Sequence, residues 1–150
     1  MELTDIHASG SPTGLEDFCS TLEQLSEIVG TITALEDAKA EAASKKQHFL
    51  IEGYLKQEQA LVLKLRGLEQ TRVKQADALG WKGLTFRQIL NRTSEQQKEL
   101  LSPLFHNLSL QTKQLAGSKE SADRILSLRL KEFEKALEGN LPPHFHETYV

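Results

Sequence analysis

The residues of this chain that could do chemistry are its histidines, its one cysteine and its many carboxylates, and spacing decides what they can do. His144-Phe145-His146 is the only close histidine pair. Two imidazoles hold a metal only when further ligands complete the set; here the set is incomplete, and the pair reads as part of a polar tail. A carboxylate-bridged di-metal bundle needs Glu-x-x-His on its helices. The residues three before His48, His106, His144 and His146 are Lys45, Pro103, Leu141 and Pro143, so that geometry does not arise. Cys19 lies beside Phe18 on a helix flank, where a partly buried thiol is inert, and the sequence places no histidine next to it. No glycine cluster precedes a Lys-Ser or Lys-Thr pair, so no phosphate-cradling loop is expected. The expectation is a protein without catalytic residues, metal or cofactor.

Composition points the same way. The chain has 150 residues, 39% of them apolar, with nine glycines and four prolines. That suits one domain, with enough apolar surface for helix seams but not for a thick globular core. Glu, Gln, Lys, Leu and Ala fill the stretches between glycines, and these residues lose little rotamer freedom in a helix. Eighteen basic residues stand against 21 acidic ones, for a formal net charge of −3. They are interspersed, so no basic patch is available to displace counterions from a nucleic acid. The lone cysteine can form no internal disulfide. Residues 1–14 lack the apolar core of a signal peptide, and no apolar run approaches the roughly 20 residues of a membrane span. Cytoplasm is the expected compartment.

Several helices must position whatever this chain presents. Leu15, Phe18, Leu22, Leu25, Val29 and Ile32 step by three and four, which places them on one stripe. Past Ile32 the stripe thins to Ala38, Ala42 and Ala43, small residues that let a neighbouring helix come close, until Phe49 and Leu50. Gly53 is the expected stop, giving a first helix over about 15–52. A second helix follows over 54–79, with Leu55, Leu61, Leu65, Leu68, Ala76 and Leu79 inward. The short connection makes the two antiparallel. Thr85 and Gln88 have capping-box spacing ahead of a short helix carrying Phe86, Ile89 and Leu90, and Trp81 is expected to join it in plugging one end of the hairpin. The last helix starts near Thr93-Ser94, with Gln96 and Gln97 placed to cap. Pro103 should kink or restart it, and Gly117-Ser118 should weaken it. The expected fold class is all-α: an elongated antiparallel helical hairpin or coiled coil, a short connecting helix and a long kinked C-terminal helix, akin to a three-helix bundle. The helical domain spans 14–139, between tails at 1–13 and 140–150.

One segment carries more apolar surface than the fold requires. Leu126, Leu130, Phe133 and Leu137 form a stripe sufficient to dock the last helix on the hairpin, whereas Ile125 and Leu128 fall outside it. At about 100° per residue, Leu128 sits nearly opposite the line of Leu126 and Leu130. A helix apolar on two sides needs two partners. Either the chain packs both faces internally, or two copies pair through them, or the segment receives an amphipathic helix from another protein. Its charges balance, with Lys119, Arg124, Arg129, Lys131 and Lys135 against Glu120, Asp123, Glu132, Glu134 and Glu138. Charge alone therefore selects no partner there. Ile125, Leu126, Leu128, Leu130, Phe133 and Leu137 are the candidate binding residues.

Residues 45–79 resemble the FlgN family of flagellar export chaperones. The matching features are Lys45-Lys46, Leu50-Ile51, Gly53, Leu55, Glu58-Gln59-Ala60-Leu61, Leu65, Leu68-Glu69 and Arg72. Residues 84–90 occupy the place of the family's inter-helix element, and a long C-terminal helix follows, so the similarity in order and spacing runs over roughly 15–138. Family members often carry asparagines before the final apolar stretch; this chain has Ser121 and Asp123. The resemblance implies a cytosolic chaperone that binds the C-terminal helices of hook-associated junction proteins and delivers them to the flagellar type III export gate. Two rival classes stand beside it: a structural coiled-coil adaptor that self-associates through the same helix, and a helical enzyme with a metal site.

Overall fold

The structure, a computed structural model, describes residues 12–137 and is built from helices, with no strand among the described residues. Helix α1 spans Pro12–Ser44, α2 Ile51–Ala78, α3 Phe86–Arg92 and α4 Glu95–Leu137, with a 3₁₀ turn at His48–Leu50 before α2. Pro12 and Thr13, expected in the tail, belong to the first turn of α1. Proline is well suited there, because its missing N–H has no intrahelical acceptor. The rest of the expected tails, 1–11 and 138–150, lies outside the described residues.

Helix α1 is the centre of the fold. Phe18, Leu22, Leu25, Val29 and Ile32 are all buried, as the three-four stepping predicts. The helix runs antiparallel to α2 and parallel to α4: Phe18 meets Phe105 at one end, and Ala43 meets Arg129 at the other. Both outer helices pack on α1 and hardly on each other. Gly30 serves this arrangement, because a Cβ there would come within 3.2 Å of the Gln111 side chain on α4.

The first helix ends nine residues before the expected stop. Lys46 adopts φ +58°, its amide donating to Ala43 and that of Gln47 to Ala42 at 3.2 and 2.7 Å. These two bonds make a Schellman closure with lysine in the place glycine usually holds. Gly53 instead lies inside α2, with nothing near its absent side chain. Helix α1 is therefore 33 residues, about 50 Å at 1.5 Å per residue. The end of α2 follows the same closure with a glycine: Gly80 at φ +85°, and Trp81 N–H donating to Ala76 at 2.8 Å.

That turn delivers Trp81 to the base of the bundle, where its ring meets Phe18 edge-on at 5.5 Å. Phe18 also meets Phe105 edge-on, and Phe86 stacks on Phe105 at 4.1 Å. Ile89 and Leu101 close this end completely, each fully buried. The expected caps hold α3 and α4 in place. Thr85 and Gln88 exchange side-chain and backbone bonds at 3.2 and 2.9 Å, and Ser94 and Gln97 do the same at 3.2 Å. Helix α4 bends slightly but runs unbroken through Pro103 and Gly117. Pro103 and Glu99 face solvent, so the carbonyl that loses its helical donor can be hydrated there.

Candidate protein-binding surface

Among the described residues, hydrogen bonds from Arg129 tie the distal part of α4 to α1. Arg129 donates from Nε to the carbonyl of Ala43 and from a terminal nitrogen to that of Ser44, both at 3.0 Å. Its other terminal nitrogen pairs with Glu132 at 2.8 Å. The guanidinium thus caps the C-terminus of α1, sharing the Ala43 carbonyl with the Lys46 amide and reaching that of Ser44, and places a cation at the negative end of the helix dipole. Helix α1 ends there. The eight residues of α4 after Arg129 continue for about 12 Å at 1.5 Å per residue.

The clamp relocates the seam. Ala122 is fully buried and Arg129 half-buried, while Leu130, expected to face the hairpin, is 57% exposed. The inward line of α4 here runs through Ala122 and Arg129, passing between Ile125 and Leu126, which are each half-buried. Seen down the axis, Ile125 and Leu128 form one flank and Leu126 and Leu130 the other. Leu128 is 54% exposed, as its position outside the expected stripe requires. Leu137 is half-buried, and the side chain of Phe133 lies outside the described residues. Beside the second flank, His48 of the 3₁₀ turn helps to enclose a hollow with Leu126, Arg129 and Leu130.

A second feature lies midway along the bundle, where the sequence places no chemistry. Glu36 of α1 is completely buried and Lys39 nearly so. The Lys39 ammonium lies 3.1 Å from Glu36 and 2.8 Å from Glu58 of α2. The contacts are ionic rather than well-directed hydrogen bonds, since neither Glu36 oxygen finds a donor in good geometry. Burial, and then the neighbouring Glu58, push the Glu36 carboxyl up, outweighing Lys39. Burial would also raise Glu58, but Glu36, Lys39 and the more distant Lys119 hold it below the usual carboxylate range. Burial would lower the Lys39 ammonium, but the two carboxylates keep it above its ordinary value.

A furrow runs between α2 and α4 over the α1 floor. Its lower hollow, about 550 Å³, has Leu25 and Val29 beneath, Leu65 and Arg72 on one wall and Leu108 and Lys113 on the other. The upper hollow, about 510 Å³, shares no lining residue with the lower one but follows it along α2, Arg66 coming directly after Leu65, and is lined by Leu63, Val62 and Leu55, with Lys119 opposite. Leu55, expected to face inward, is 42% exposed along this wall, because α2 and α4 do not close on each other. At the furrow's lower end Arg72 is fixed by a two-pronged pair with Glu69 at 2.8 and 2.6 Å. Its guanidinium lies 5.7 Å from the Phe86 ring centre, within cation–π range.

Cys19 is buried, and its thiol is pushed up by that burial and by Glu23 and Glu16, so little thiolate forms. Among the described residues no group of three His, Cys, Asp or Glu side chains converges to hold a metal, and no helix is long and apolar enough to cross a membrane. The His144–His146 pair lies outside the described residues. No protein-family model, curated protein or solved structure matches the chain.

Proposed function

We propose that this protein binds amphipathic helices of other proteins, and that it acts as a cytosolic flagellar export chaperone. In that role it holds the C-terminal helices of hook-associated junction proteins and passes them to the type III export gate. The observation that carries the reading is the pair of exposed leucines, Leu128 and Leu130, on opposite flanks of α4 on either side of Arg129. Burying one such side chain is worth about 1.5–3 kcal/mol. Two or three anchors, less the cost of ordering the client, give a complex tight enough to guard it and loose enough to release it. The resemblance of residues 45–79 to the FlgN family supplies the client class.

The test is Leu128→Ser combined with Leu130→Ser, read by thermal melting and by pull-down of a junction protein's C-terminal segment. Lost binding with an unchanged melt supports the proposal. Undiminished binding overturns the site, and failure of the parent protein to bind any junction protein overturns the client. If the parent's mass in sedimentation rises with concentration and the double substitution abolishes the rise, the same leucines serve a self-associating adaptor instead.

A further inference from the structure

We propose that the furrow between α2 and α4 is a second docking surface, built for an amphipathic helix whose apolar stripe is flanked by acidic side chains. The proposal does not rest on the chaperone reading, because it concerns a different face and a partner defined by charge.

Three observations carry it. The furrow is long: Leu55 and Arg72 at its two ends lie about 25 Å apart along α2 at 1.5 Å per residue, the length of a helix of some five turns. Its wall is apolar where a folded chain gains nothing by exposing it. Leu63 is 67% exposed there and Leu55, two turns earlier on the same wall, 42%, while Val29, Leu65 and Leu108 provide apolar surface deeper in the lower hollow.

The third observation is the charge on the rims. The two carboxylates in the furrow are already engaged, Glu58 by Lys39 and Glu69 by Arg72. The cations are not. Arg66 on one rim and Lys113 on the other make no ion pair among the described residues. Lys119 makes an ion pair only with Asp123 among the described residues, at 3.8 Å with both side chains well exposed, and acts on Glu58 from further away. The free charges along this furrow are therefore positive, although the chain as a whole is net negative. An incoming helix with glutamates or aspartates beside its apolar stripe would meet all three cations, and a lysine-flanked one would be repelled. The protein's own distal α4 segment, with its balanced charges, is not selected by such rims.

The experiment uses the full chain and two labelled synthetic helical peptides of about 25 Å. They share a leucine stripe and differ only in carrying glutamates or lysines beside it. Fluorescence anisotropy should show the glutamate peptide binding about tenfold more tightly, the scale of several exposed ion pairs, with the advantage shrinking at high salt. Arg66→Glu with Lys113→Glu, both at exposed positions, should reverse the preference. Leu63→Ser should weaken both peptides, and Leu128→Ser with Leu130→Ser should change neither. Hydrogen exchange should slow at 55–72 and 108–119 when peptide binds. Equal affinity for the two peptides, a preference that survives rim reversal, or protection confined to the distal end of α4 overturns the proposal. So does a concentration-dependent dimer that rim reversal disperses, since the occupant would then be a second copy.

Discussion

Arg129 donates to the carbonyl oxygen of Ala43, 86 residues earlier in the chain, at 3.0 Å. This bond and its neighbour to Ser44 join the C-terminal end of α1 to α4. Arg129→Ala should cost about 1.5–2 kcal/mol, the worth of a partly buried cation at a helix C-terminus with charged hydrogen bonds. Arg129→Lys should recover part of that, because one ammonium cannot serve both carbonyls in the same fork. Urea midpoints measure both. Hydrogen exchange should quicken beyond Ala122 in the alanine variant and stay unchanged near Phe105.

The Glu36–Lys39–Glu58 group should make stability depend on pH in a specific direction. A carboxyl raised in the folded state binds its proton more tightly there than in the unfolded chain. Its contribution is therefore greatest near and below the unfolded value of about 4.3, and it declines as pH rises through the raised value. Glu58, held low, acts oppositely and loses its contribution as pH falls through its lowered value. Lys39, held high, keeps its contribution until pH passes above about 10.4. Glu36→Gln removes the first effect while keeping the shape of the side chain. The variant should gain stability relative to the parent as pH rises from the unfolded value of about 4.3 through the raised folded value, by urea titration at each pH. A constant difference across that window would mean that Glu36 is charged in the folded protein throughout.

Lys46 occupies a left-handed position at φ +58°. A β-carbon there costs about 1–2 kcal/mol, and the greater freedom of glycine in the unfolded chain returns part of that gain. Lys46→Gly should stabilise the protein by about 0.5–1 kcal/mol, seen as a higher denaturant midpoint with an unchanged slope. A loss of stability would assign the exposed lysine side chain a contact that outweighs its backbone strain.

The stepping that locates α1 in the sequence continues further than its apolar residues suggest. After Val29 and Ile32, the same steps fall on Glu36, Lys39 and Ala43, and all three are buried. A charged pair at seam positions was thus visible as a pattern; its partner Glu58 was not, because pairing across helices depends on register. Capping chemistry was legible at Thr85 and Ser94 because donor and acceptor lie three residues apart. The end of α1 was misplaced because a lysine took the left-handed position while Gly53 sat in a helix interior. The distal seam of α4 was misassigned for a similar reason. Arg129 faces inward to reach another helix's carbonyls, and no local signal marks a residue that caps a distant chain end.

The arrangement of two helices around one also determines how the molecule comes apart. Since α2 and α4 lean on α1 and hardly touch each other, stripping α4 away would leave the α1–α2 hairpin's own interface largely intact. Among the described residues, the last stretch of that arm is tied to α1 by the Arg129 hydrogen bonds and exposes Leu128 and Leu130, whereas its base is locked by Phe105 between Phe18 and Phe86. Opening should therefore proceed as a zipper from the far end towards the aromatic base, and partial release would cost far less than global unfolding. Hydrogen exchange along α4 should accordingly form a gradient, fastest at the far end and slowest around Leu101 and Phe105.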